Sequence, residues 1–86
     1  MANSIKSGEI EKVIKEVISD KLNLPIKKVK IDSLLVEELG MDSFGAVELA
    51  FELKDKFGIT ISQEDFGEIK KVKDIVKHIL NHLPKE

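Results

Sequence analysis

The chain contains no cysteine, tryptophan, tyrosine or arginine, only two prolines, and four phenylalanines as its whole aromatic content. Each absence closes a class. Without cysteine there are no disulfides and no thiolate metal sites, so 86 residues must be held by a single apolar core. No run of 18 uncharged apolar residues occurs, and Met1 to Ile10 has no signal-like apolar stretch, so the expectation is a cytoplasmic protein without membrane insertion. With no arginine and a formal net charge of -2 there is no basic face of the kind nucleic acid requires.

What remains is rich in aliphatic residues, lysine and glutamate, which favours helices. The expected fold is all-α: one domain over residues 1–86, working as a monomer, with three main helices, one or two short ones and a long connection after the first. Charge is unevenly spread. Residues 1–30 carry seven Lys against four acids, residues 31–69 two Lys against ten, and residues 70–86 five Lys against two, so the middle of the chain is an acidic block. Such a concentration either solvates a helix or steers a basic partner.

The spacing of Ile10, Val13, Ile14, Val17, Ile18 and Leu22 predicts a helix over 4–21, ended by Asn23 and the Leu24-Pro25 step. A long connection comes next. Val29, Ile31, Leu34, Leu35 and Leu39 can pin it, and Ser33 is expected to cap a short helical turn that runs through Glu38 and stops at Gly40. Asp42 then reads as the cap of a strong helix from Ser43 to Phe57, closed by Gly58. Ile59 to Ile61 reads as extended, and Ser62 with Asp65 as the start of a brief helix over Gln63 to Glu68. A last helix is expected over Val72 to Leu83, with Pro84 halting it.

The 43–57 helix is the informative one. At about 100° per residue, Ala46, Leu49, Ala50, Leu53 and Phe57 share one face. Phe44, Val47 and Phe51 fall on another, beside Glu48, Glu52 and Asp55. Burying that second face would strand carboxylates without arginine partners, so it is expected to be exposed as a docking surface. Ser43 begins this helix, where free amides and the positive end of the dipole favour an anion.

Leu39-Gly40-Met41-Asp42-Ser43-Phe44, succeeded by Ala46-Val47-Glu48-Leu49 and Phe57-Gly58-Ile59, resembles the acyl carrier proteins over nearly the whole chain. In that family an Asp-Ser-Leu motif opens the second helix, and its serine bears 4'-phosphopantetheine through a phosphodiester. The resemblance implies a carrier, not an enzyme, with acyl groups held as thioesters on an arm attached to Ser43, and Asp42 as motif and cap residue. The implied partners are a phosphopantetheinyl transferase and acyl-transferring, condensing or acyl-activating enzymes with basic docking surfaces. They would meet Phe44, Val47, Glu48, Phe51, Glu52 and Asp55. An acyl cavity, if the resemblance extends so far, would draw on Leu39, Leu49, Ala50, Leu53 and Ile79, which are core residues in any case.

Asp32-Ser33-Leu34 matches the three-letter motif more literally, but only six residues separate Ser33 from Gly40, whereas Ser43 opens about four turns of helix. Four positions depart from the family pattern: Phe44 in place of leucine, Gly45 in place of a frequent acid, and Lys54 and Lys56 on a helix that is usually acidic. These departures imply a specialised carrier serving a dedicated pathway. Two rival readings stay open: an unmodified helical interaction module, and a carrier of aminoacyl, peptidyl or polyketide cargo. His78 and His82, four residues apart near Asp74 and Glu86, read as solvated side chains rather than metal ligands. Asp32, Glu37, Glu38 and Asp42 would hold a divalent cation loosely at most, lacking the ligand order of a calcium loop.

Overall fold

Ile10, Ile14 and Ile18 from one helix, Leu49 and Leu53 from a second, and Ile75 and Ile79 from a third are fully buried against one another. In the computed structural model, which describes residues 7–83, these helices are α1 (Ser7–Leu22), α2 (Ser43–Phe57) and α4 (Val72–His82). A shorter α3 (Gln63–Glu68) lies between α2 and α4, and a single 3-10 turn spans Ile26–Lys28. Residues 4–6 of the expected first helix, Pro84 and Glu86 lie outside the described residues. No described helix is long and apolar enough to cross a membrane.

The i, i+4 stripe of α1 packs on both α2 and α4, which makes it the spine of the bundle. Helix α2 runs between two predicted signals. Asp42, extended at φ -114°, starts it, and Gly58 at φ 71° ends it in the left-handed region that glycine enters without a Cβ penalty. Ser62 and Asp65 form a reciprocal capping box on α3: the Asp65 amide donates to Ser62 Oγ at 3.1 Å, and the Ser62 amide donates to Asp65 Oδ2 at 3.4 Å. On α4, Asp74 Oδ2 accepts from the amides of Lys70 and Lys71, each at 3.0 Å. Those two hydrogen bonds hold the Asp74 carboxyl below its usual pKa.

The long connection departs from expectation. Ser33 caps no helical turn. It is 8% exposed, and its hydroxyl faces backward, accepting from the Lys30 amide at 3.0 Å. The Leu34 amide is met instead by Glu38 Oε1 at 2.7 Å, and residues 34–40 form turns rather than a helix. The reason is long-range pairing. Lys73 N donates to Ile31 O, Val72 N to Ser33 O and Leu35 N to Lys70 O, at 2.9, 3.1 and 2.9 Å, around an isolated bridge between Leu34 and Lys71. The strap from the entrance of α4 thus takes the Ser33 carbonyl and the Leu35 amide, and the segment keeps only isolated turn bonds, Glu38 N to Leu34 O at 3.0 Å and Gly40 N to Val36 O at 3.1 Å. Val29, Leu35, Leu39 and Met41 are buried, so the connection is part of the core.

Candidate functional site

The site is built around the first turn of α2. Asp42 Oδ1 accepts from Gly45 N at 2.8 Å, and the Asp42 carbonyl accepts from Ala46 N at 2.9 Å. The second is the first bond within the helix, so of the four amides a helix leaves open only Gly45 N is met, while those of Ser43 and Phe44 have no acceptor among the described residues. Ser43 is exposed beside them. Its hydroxyl therefore sits where a negatively charged ester is favoured by free donors and by the helix dipole.

Gly45, which departs from the family pattern, has a packing reason. A Cβ there would lie 3.0 Å from Leu22 Cδ2 and 3.3 Å from Asp42 Oδ1. The missing side chain lets the end of α1 close on the first turn of α2 without disturbing the cap.

The second face of α2 is open. Phe44 is 72% exposed, Phe51 71% and Val47 49%, so three large apolar side chains on one face of the helix stand in solvent. Of the acids beside it, Asp55 is exposed and Glu48 half-buried. Glu52 is engaged within the molecule, 3.5 Å from both Lys21 and Lys56. Glu48 and Asp55 have no ion-pair partner among the described residues.

Leu39, Leu49, Leu53 and Ile79 are buried in the core, and of the five cavity candidates the half-buried Ala50 lines a groove that includes Ser43. That groove, about 450 Å³, starts at Ser43 and runs along α2 past Ala46 and Ala50, with Phe51 on one bank and Ile61 and Phe66 on the other. A second groove, about 680 Å³, leaves Ser43 in the other direction, past Met41, toward Glu37, Ile69 and Lys70. Sequence reading missed Ala46 as a lining residue and missed Ile61, Gln63 and Phe66 altogether. The available signal was a phenylalanine on a helix too short to bury it fully.

His78 corrects an expectation. Its side chain is only 12% exposed, covered by α3, with Nε2 4.0 Å from Asp65 Oδ2. Its ring stacks on His82 at 4.2 Å between centroids, and His82 Nδ1 lies 2.8 Å from the His78 carbonyl oxygen. Asp32, Glu38 and Asp42 are engaged separately, with Lys73, the Leu34 amide and the Gly45 amide. Among the described residues no three potential ligands converge on one metal position.

Comparison with known proteins supplies the class. The phosphopantetheine attachment site family matches residues 12–79. An acyl carrier protein of Rickettsia bellii (strain RML369-C) is 36% identical over 77 residues, covering 90% of each chain. One from Campylobacter hominis is 37% identical over 73 residues, covering 85% of this chain and 92% of its own. Among solved structures, a Mycobacterium tuberculosis chain assigned to the acyl carrier proteins superposes with a TM-score of 0.77 at 32% identity, covering 84% of this chain and 96% of that one. The chain belongs to the acyl carrier protein family, whose members are carriers bearing covalent 4'-phosphopantetheine. Family membership implies a phosphopantetheinyl transferase and acyl-handling enzymes as partners. The surroundings of Ser43 fit such a group: an exposed hydroxyl, two unanswered amides for a phosphate, and grooves on either side.

Proposed function

We propose that Ser43 bears the 4'-phosphopantetheine arm and that the protein carries acyl intermediates between the enzymes of fatty-acid synthesis or a related specialised lipid or polyketide pathway. The observation that carries this reading is the contrast between an exposed Ser43 at the mouth of α2 and a buried Ser33. When bound, the arm supplies a terminal thiol that holds an acyl group as an activated thioester. The chain's own residues do the rest. Asp42 caps the helix end, the Ser43 and Phe44 amides would be free to hold the phosphate, and Phe44, Val47 and Phe51 offer apolar anchors to a partner enzyme. Glu48 and Asp55 steer basic partner surfaces toward them.

Coexpression with a phosphopantetheinyl transferase, and then intact mass measurement, tests the carrier role: a quantitative gain of one arm supports it, and an unmodified chain leaves only the helical interaction module. Steering has its own signature. Glu48→Lys is expected to slow loading several-fold at low salt and much less at high salt, because exposed charges are screened over about 8 Å at physiological ionic strength. Equal slowing at every salt concentration contradicts it.

A further inference from the structure

We infer that Lys54 makes this carrier selective, fitting it to a partner enzyme whose docking surface presents a carboxylate opposite Lys54 as well as basic groups opposite Glu48 and Asp55. The inference rests on α2 being the docking helix and goes on to name the class of partner that helix accepts.

Two lysines end α2, and the structure gives them different surroundings. Lys56 Nζ lies 3.5 Å from Glu52 Oε2, and the other oxygen of that carboxylate lies 3.5 Å from Lys21 Nζ of α1. Lys56 also borders a groove against α1 with Val13, Glu16 and Asp20, so it belongs to the α1 side of the helix. Lys54 is exposed and has no ion-pair partner among the described residues. With Phe44 at zero, Phe51 and Val47 fall at about 340° and 300° and Lys54 at about 280°, whereas Asp55, Glu48 and Glu52 fall at about 20°, 40° and 80°. Lys54 therefore stands beside the exposed apolar strip, about one turn beyond Phe51, on the bank away from the acids.

Charge gives this face a direction across the helix. The apolar anchors Phe44, Val47 and Phe51 have an acidic bank on one side and a basic one on the other. A docking surface that is basic throughout is attracted by Glu48 and Asp55 but meets Lys54 with a like charge, which lowers the rate of encounter and weakens the complex. Nothing on α2 shields that charge, because Asp55 points about 100° away from Lys54 and Glu52 about 160° away, toward Lys21 and Lys56. A surface with a carboxylate on the Lys54 side satisfies both banks at once, and in one orientation. Exposed rim charges change affinity by small factors, so Lys54 ranks partners rather than forbidding them. Its place in the last turn also favours the helix dipole, a role that does not depend on the partner.

The probe is a phosphopantetheinyl transferase whose carrier-facing surface holds basic side chains and no acidic ones. Arm transfer from coenzyme A to the full-length protein, read by intact mass, gives kcat/KM at low and high salt for the natural chain, Lys54→Gln, Lys54→Glu, Lys56→Glu and Glu48→Lys. At low salt Lys54→Glu should load roughly three- to fivefold more efficiently than the natural chain, with Lys54→Gln between them, and the gain should shrink at high salt. Lys56→Glu, which makes the same change of net charge off the strip, should gain less than half as much. No gain in Lys54→Glu overturns the proposal, and so does an equal gain in Lys56→Glu, which would reduce the effect to net charge. A lysine that served only the helix end would move the thermal midpoint and leave the salt-dependent kcat/KM where it was. The carboxylate is tested from the partner's side by changing the transferase's rim bases to glutamate one at a time and comparing the natural chain with Lys54→Glu on each variant, a ratio in which any general loss of transferase activity cancels. At least one variant should prefer the natural chain, and a preference for Lys54→Glu on all of them overturns the proposal. Glu48→Lys separates the two levels: if it slows loading while Lys54→Glu brings no gain, selectivity alone fails, and if it slows nothing at low salt, the docking reading of α2 fails and selectivity falls with it.

Discussion

Ser33 and Ser43 stand ten residues apart, each with aspartate before it and a large apolar residue after it, yet the fold gives them opposite fates. Ser33 is buried, its hydroxyl engaged with the Lys30 amide, and Asp32 reaches out to Lys73 at 3.3 Å. Ser43 is exposed, and Asp42 turns inward to cap its own helix. The difference lies in the segment C-terminal to each pair. Behind Ser43 comes a 15-residue helix whose open amides need a cap and whose first residue must face outward. Behind Ser33 comes a segment paired with the entrance of α4, and this pairing draws the serine under the strap formed by residues 70–73. A three-letter motif acquires chemistry only when the structure leaves its hydroxyl at an open helix end.

The sharpest way to break this contrast is to place a negative charge at each serine. Ser33→Asp should cost about 2 to 3 kcal/mol, because a larger, charged carboxylate would be forced into a site that buries a hydrogen-bonded hydroxyl. Ser43→Asp should lie within about 1 kcal/mol of the natural protein, on the stabilising side, since the helix dipole favours the charge. Urea denaturation of the two variants measures this, and equal destabilisation would erase the distinction.

The neighbouring aspartates should differ less. Asp42→Ala removes a cap and should cost about 1 kcal/mol, whereas Asp32→Ala breaks an exposed pair and should cost below about 0.5 kcal/mol. The same denaturation experiment orders them.

Asp74 sharpens the picture from the other side, because it holds the Lys70 and Lys71 amides of the strap that covers Ser33. Its folded pKa is lowered, chiefly by those two hydrogen bonds, so the stability it contributes is present above the unfolded value near 4 and is lost as pH falls through the folded value. Asp74→Asn should therefore be less stable than the natural chain by a constant amount above about pH 5, and the gap should narrow below about pH 4. A gap independent of pH down to full protonation would contradict the role given to these bonds.

The smallest expected effect concerns Gly45. Gly45→Ala gains helix propensity of roughly 0.5 to 1 kcal/mol but must push Leu22 Cδ2 back from 3.0 Å, so its net change should fall within about 1 kcal/mol of zero in the same urea titration.

Local signals were legible in the sequence because they are local. Asp42, Gly58, Ser62 with Asp65, and the aliphatic stripe of α4 act within a turn or two of their own positions, and the helices they delimit lie where those signals predict. The exposure of Phe44, Val47 and Phe51 was legible too, since burial of that face would have trapped carboxylates. The illegible features depend on residues far apart in the chain. The strap that draws Ser33 inward joins residues 31–35 to 70–73, His78 is covered by α3, and Gly45 makes room for Leu22. The grooves beside Ser43 belong to the same group, because Phe66 reaches them from an element whose placement no periodicity records.

Proteolysis and tandem mass spectrometry of the natural chain after modification by a transferase and coenzyme A would locate the arm directly. The account predicts a single modified peptide with the added mass on Ser43 and an unmodified Ser33. Mass added to Ser33 in a folded protein, with Ser43 bare, would contradict it.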